Sequence, residues 1–227
     1  MEQVLDIYSP LSAGWTPWLL LLLLMGWVTV YALNPVAFVD CFVSVVADME
    51  RRYTDAAKSW GLIVLSLVLR MCTLALAIFC FIYIYSYRLD WAGVELPFSL
   101  PDYLCVLLVI SVVYAIKSLL EWLLNIVFCF TPRTMVIYQH YANLFTVVSL
   151  LLFPILLFTI NFAYPKVIGA CLLSVAGVYM LVMMIKMCRI YLHSLRALLY
   201  ILLYLVTVEI LPLLCMVWAS ARVLCWI

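Results

Sequence analysis

Four ionisable side chains stand inside long apolar runs of this chain: Arg70, Lys117, Glu121 and Glu209. A charge placed in hydrocarbon costs about 3 kcal/mol or more unless it is paired or hydrated, so such residues are the first candidates for a functional site. Arg70 lies nine residues into its apolar run, about 13 Å along a helix. Glu209 lies eleven residues into the last run, about 16 Å deep from the same side. Equal depth and opposite sign predict a bidentate Arg70–Glu209 pair near the midplane, which either fixes helix packing or serves transport. Pro212 follows Glu209 by three residues. It frees a carbonyl one turn back and predicts a kink at that place. Lys117 and Glu121 are four residues apart with the lysine first, the weaker order for a helical pair. Lys117 is expected to snorkel to the nearer membrane face. Asn125 continues the same stripe.

A second set of polar residues gathers where apolar runs begin and end. Tyr138, His140 and Asn143 precede the fourth run, and Arg189, His193 and Arg196 precede the sixth. Two histidines with basic and phenolic neighbours can frame a headgroup or phosphate pocket. Interfacial aromatic belts account for the same composition. Catalytic motifs are missing: the chain has no His-Glu-x-x-His, Gly-x-Ser-x-Gly, Walker or Gly-x-Gly-x-x-Gly sequence, which weighs against an enzyme and names no catalytic residue. Nine cysteines occur with no Cys-x-x-Cys pair and no clustered histidine. They read as small hydrophobes, and no metal site or cofactor is expected.

What must position these residues is lipid-embedded helix. Of 227 residues, 70% are apolar and 10% charged, where a soluble domain is near half apolar and a quarter charged. No soluble fold of this length hides that much apolar surface. Twelve basic against eleven acidic residues leave a net charge of +1, which gives no footprint for nucleic acid. Apolar runs long enough to span predict six transmembrane helices, over about 18–33, 61–87, 103–125, 144–162, 167–185 and 198–218. The residues before the first run hold Glu2 and Asp6 and no Lys or Arg, unlike a cleaved secretory signal. Between the first two runs, Asp40, Ser44, Asp48, Arg52 and Asp55 recur every three or four residues. Their common face predicts an amphipathic helix over 36–58 lying on the membrane surface. Tyr164-Pro165-Lys166 makes a tight turn, so the fourth and fifth spans form an antiparallel hairpin. The expected fold class is therefore all-α: a polytopic helical membrane bundle of about six spans plus one interfacial helix, in a single domain over 1–227.

Orientation follows from the basic residues of the short connections. Arg51, Arg52, Lys58, Arg133, Lys186, Arg189 and Arg196 fall on one side, and Arg88, Lys166 and Arg222 on the other. The richer side is expected to be cytoplasmic, with both termini outside.

The run Leu203-Tyr204-Leu205-Val206-Thr207-Val208-Glu209-Ile210-Leu211-Pro212-Leu213-Leu214 resembles the closing signature of an uncharacterised family of multi-pass inner-membrane proteins from Bacteroidetes bacteria, a domain of unknown function. Tyr204, Glu209 and Pro212 match its Tyr-x-x-x-x-Glu-Ile-x-Pro pattern, with Arg189 more loosely placed. The chain departs from the pattern at Val206, where members often have Cys, and has no Lys soon after the last span. The resemblance implies a bacterial inner membrane and marks Glu209, but it supplies no activity.

Two functions compete on this reading, and the first is the one that the sequence favours. One is a non-enzymatic envelope scaffold or assembly factor, docking other membrane proteins through the amphipathic segment and the basic connectors. The other is a small transporter or lipid-handling protein that uses a buried Arg70/Glu209 polar site. An intramembrane enzyme built around His140 and His193 ranks third. The expected partners are the bilayer, its lipids and other envelope proteins.

Overall fold

The computed structural model describes residues 14–35, 39, 42, 43, 60–89, 99–127, 133–161, 165–191 and 205–226. The described residues form six helices and one π-helical segment: α1 (Thr16–Leu33), α2 (Trp60–Leu89), α3 (Leu100–Val127), α4 (Arg133–Asn161), α5 (Pro165–Tyr191), the π segment (Leu205–Ile210) and α6 (Leu211–Trp226). Five of them, α1 to α5, are long and apolar enough to cross a membrane, and α6 contributes the shorter apolar stretch Leu211–Leu224. The protein is a multi-pass helical membrane bundle. The interfacial helix expected over 36–58 lies almost wholly outside the described residues.

Local sequence explains where these helices begin and end. Pro17 sits in the first turn of α1, where a missing N–H costs nothing, and Asn34 N–H closes the other end on Val30 O at 3.2 Å. Ser99 caps α3: its hydroxyl donates to Asp102 Oδ2 at 2.5 Å, and the Asp102 amide donates back to Ser99 Oγ at 3.4 Å. The second of these bonds satisfies the Asp102 amide, a donor that the first turn would otherwise leave exposed. Inside the spans several hydroxyls are absorbed locally. Thr73 donates to Leu69 O, Ser149 to Phe145 O and Thr159 to Ile155 O, each four residues back, so these buried hydroxyls are satisfied without water. Pro154 stands within α4, which continues past it. The residues 135–143, more polar than the span that follows, are the first turns of that same helix.

Helix α2 is the hub. It packs against α1, α3, α4, α5 and α6, while α3 pairs with α6 and α4 pairs with α5. The expected α4–α5 hairpin is thus present. As in α4, half of the α2 membrane window is buried, against 17% for α3 and for α5. Its buried side chains include Leu69, Ala75, Leu76, Phe79 and Cys80. Outward positions such as Trp18, Leu22, Leu108, Ile116, Leu119, Leu173 and Val178 are apolar and exposed, which suits a lipid environment. Helix α1 approaches α2 closely: a Cβ on Gly26 would stand 2.5 Å from Leu69 Cδ2. The α3–α6 pair and the α4–α5 pair rest on α2 with few contacts between them. A cleft opens there.

Candidate functional site

The cleft holds a half-open cavity of about 250 Å³ whose walls come from α2, α3, α4, α5 and the junction of the π segment with α6. Most of its lining is apolar, with Leu74, Phe81 and Leu152 among the residues. Into this cavity the structure brings all four charged residues singled out by their position in apolar runs: Arg70, Lys117, Glu121 and Glu209. Glu209 is 3% exposed and Arg70 is 6% exposed.

The expected Arg70–Glu209 pair is replaced by a different arrangement. Glu209 Oε1 accepts from Lys117 Nζ at 2.7 Å, and Glu209 Oε2 accepts from the Tyr179 hydroxyl at 3.2 Å. Arg70 instead donates through Nε to Ser66 O at 3.0 Å, through one terminal nitrogen to Ala142 O at 3.0 Å, and through the other to Ser66 Oγ at 3.3 Å. Depth along the helix axis carries no information about which way each side chain turns around it. Lys117 likewise does not snorkel outward. It bends into the cleft, where Glu121 Oε1 lies 3.7 Å from its ammonium. The lysine is shared between two carboxylates.

Each of these positions follows from a local feature. Lys117 and Glu121 are one turn apart on α3, so both face the cleft. Ser66 and Arg70 are one turn apart on α2, and the guanidinium folds back on its own helix before reaching α4. It also lies over the Phe145 ring, 5.9 Å from the centroid, a cation–π contact. Phe145 in turn stacks with Tyr114 of α3, centroids 6.3 Å apart and planes at 14°. Glu209 sits in the π segment, directly before α6. Pro212 has no N–H for the Val208 carbonyl, so the regular ladder cannot run through this point. A π turn at such a break widens the helix, as is frequent at functional sites.

Among the described residues, two links therefore cross the cleft: Tyr179 of α5 to Glu209, and Tyr114 of α3 to Phe145 of α4. Neither tyrosine was marked in the sequence, and neither were Ser66 and Ala142. The available signal for Tyr179 was its position, since it is the one tyrosine of the 167–185 run and stands well inside it, away from an interfacial belt. The second expected cluster is mostly beyond view. Asn143 is buried in α4. The side chains of Tyr138, His140 and Arg189, and the residues His193, Arg196 and Tyr204, lie outside the described set.

A family profile described as "Domain of unknown function (DUF4271)" matches residues 16–218. The chain belongs to the DUF4271 family. No curated protein and no solved structure matches it. The DUF4271 match takes in α1 to α5, the π segment and the start of α6, and so every residue of the cleft named above.

Proposed function

We propose that this protein binds an amphiphile within the bilayer and works as a small transporter or lipid-handling protein. One observation carries the reading. A largely apolar, half-open cavity is lined by a few polar groups, Lys117, Glu121, Glu209, Tyr179 and Arg70. Ligand sites commonly have this composition, mostly apolar with a few convergent polar groups. Holding two carboxylates and two cations inside the membrane is expensive, and a scaffold needs none of them. The π interruption at Glu209 supports the same reading. The scaffold alternative rests on the 36–58 segment and the basic connectors, whereas the cleft belongs to the core of the bundle.

The setting we propose is the cytoplasmic membrane of a bacterium of the Bacteroidetes type, with both termini extracytoplasmic. The uneven distribution of Lys and Arg, seven against three, supports the orientation. The cleft would then lie toward the cytoplasmic half of the bundle.

Mass spectrometry of the gently extracted full chain tests the function. A bound amphiphile is expected in the wild type and is lost in Ala176→Phe, which fills the cavity; equal retention by both would contradict the reading. A cysteine at Glu95 tests the orientation. It should react with an impermeant maleimide from outside, and reaction only after permeabilisation would reverse the topology.

A further inference from the structure

The polar groups of the cleft stand at one level along the bundle axis. Lys117 of α3 and Tyr179 of α5 meet Glu209 there, and Arg70 of α2 reaches Ala142 O of α4. The stack of Tyr114 on Phe145, centroids 6.3 Å apart, ties the two sets together across α3 and α4.

From that level the cavity extends one way. On α2 its lining continues past Arg70 through Leu74 to Phe81, a rise of about 16 Å. Beyond Glu209 it continues through Leu213 to Val217 of α6, a rise of about 12 Å. Val148 and Leu152 of α4, with Leu172 and Ala176 of α5, close the same stretch. Among the described residues, every side chain that these four helices give to the stretch is apolar. Helix α3 stays out of it. It lines the cavity only through Tyr114, Lys117, Ser118 and Glu121, all within about one turn of the polar level. The cavity is therefore polar at one end and apolar along the rest.

Such a site has a direction. An alkyl chain pressed among the charges takes water from them and returns no hydrogen bond. A polar head pressed among leucines and valines leaves its own donors and acceptors unpaired. Only one way round avoids both costs.

We propose that the cleft holds an alkyl-chain amphiphile in that single direction, its polar end at the level of Glu209 and its chain running toward Phe81 and Val217. This deepens the amphiphile-binding function above and rests on it. Helices α2 and α4 begin, and α3 and α5 end, on the side toward which the polar end faces. Lipids of the leaflet on that side already point the same way, so one of them enters without turning over.

Photolabelling of the full chain in phosphatidylcholine nanodiscs tests the direction. The probes are a long-chain alcohol and a phosphatidylcholine, each made with a diazirine either beside the polar end of the chain or at its tip. Specific adducts are those that excess unlabelled alcohol removes, so no variant is needed. Tyr114 and Glu121 should carry at least about fivefold more of the head-side label than of the tip label, and Phe81 and Val217 the reverse, the ratio that a preference of about 1 kcal/mol gives. The alcohol and the phosphatidylcholine separate a free amphiphile from a bilayer lipid as the source, and the same pattern from either supports the direction. The opposite pattern, or equal labelling of both ends by both forms, overturns it while leaving an amphiphile site in place. If neither probe gives specific adducts on the lining, the amphiphile-binding function itself fails.

Discussion

The Tyr179 hydroxyl reaches across the cleft from α5 and donates to Glu209 Oε2 at 3.2 Å. It is the hydrogen bond that joins the α4–α5 pair to the π segment at the head of α6. Both groups are buried, so neither can turn to water if the other is removed.

Tyr179→Phe keeps the ring and deletes only the donor. The expected cost is about 1–3 kcal/mol, because one oxygen of a buried carboxylate loses its partner. Thermal unfolding of the detergent-solubilised chain reads this directly. A midpoint equal to the wild type would mean that the bond contributes nothing.

The choice of partner for Glu209 is tested by two double-mutant cycles on chemical unfolding. Lys117→Leu and Glu209→Leu should be coupled by about 1–3 kcal/mol, with the double variant more stable than the sum of the single losses predicts. Arg70→Leu and Glu209→Leu should add to within about 0.5 kcal/mol, since their hydrogen-bond partners differ. The reverse pattern would restore the pairing expected from depth alone.

That contrast shows how far the sequence reached. Hydropathy located α2, α3 and α5 to within a few residues at most ends, because a run of apolar side chains against lipid has a length set by the bilayer. Rarity of charge located Arg70, Lys117, Glu121 and Glu209, because each is costly there. Partner identity was not legible. It depends on helix rotation and on which faces meet, and α3 meets the π segment across 92 positions of sequence, as in Lys117 with Glu209. Tyr179 was hidden for another reason: a tyrosine among apolar neighbours carries no charge to mark it. Pro212 did announce an interruption, but whether the chain kinks or widens there depends on what Glu209 must reach.

At that interruption, Pro212→Ala restores an N–H for the Val208 carbonyl and favours a continuous α-helix. We expect the unfolding midpoint to stay level or rise while retention of amphiphile falls at least about fivefold. Undiminished retention would show that the π segment has no part in the site.

Gly26 tests the α1–α2 contact independently of the cleft. Gly26→Ala should cost less than about 1 kcal/mol, because the Leu69 side-chain tip that it meets can shift. Gly26→Leu overpacks the same place and should cost about 1–3 kcal/mol, with partial recovery when Leu69→Ala is added. Absence of recovery would place the strain elsewhere.

The position of Arg70 on the hub helix also bears on the birth of the protein. Helices leave the ribosome in order, so α2 reaches the bilayer before α4 exists to offer Ala142 O. The guanidinium carries two of its acceptors with it, Ser66 O and Ser66 Oγ, four residues earlier on the same helix. A nascent α2 is thus able to enter lipid with its charge already part-sheathed in its own backbone, and the arrival of α4 completes the sheath rather than starting it.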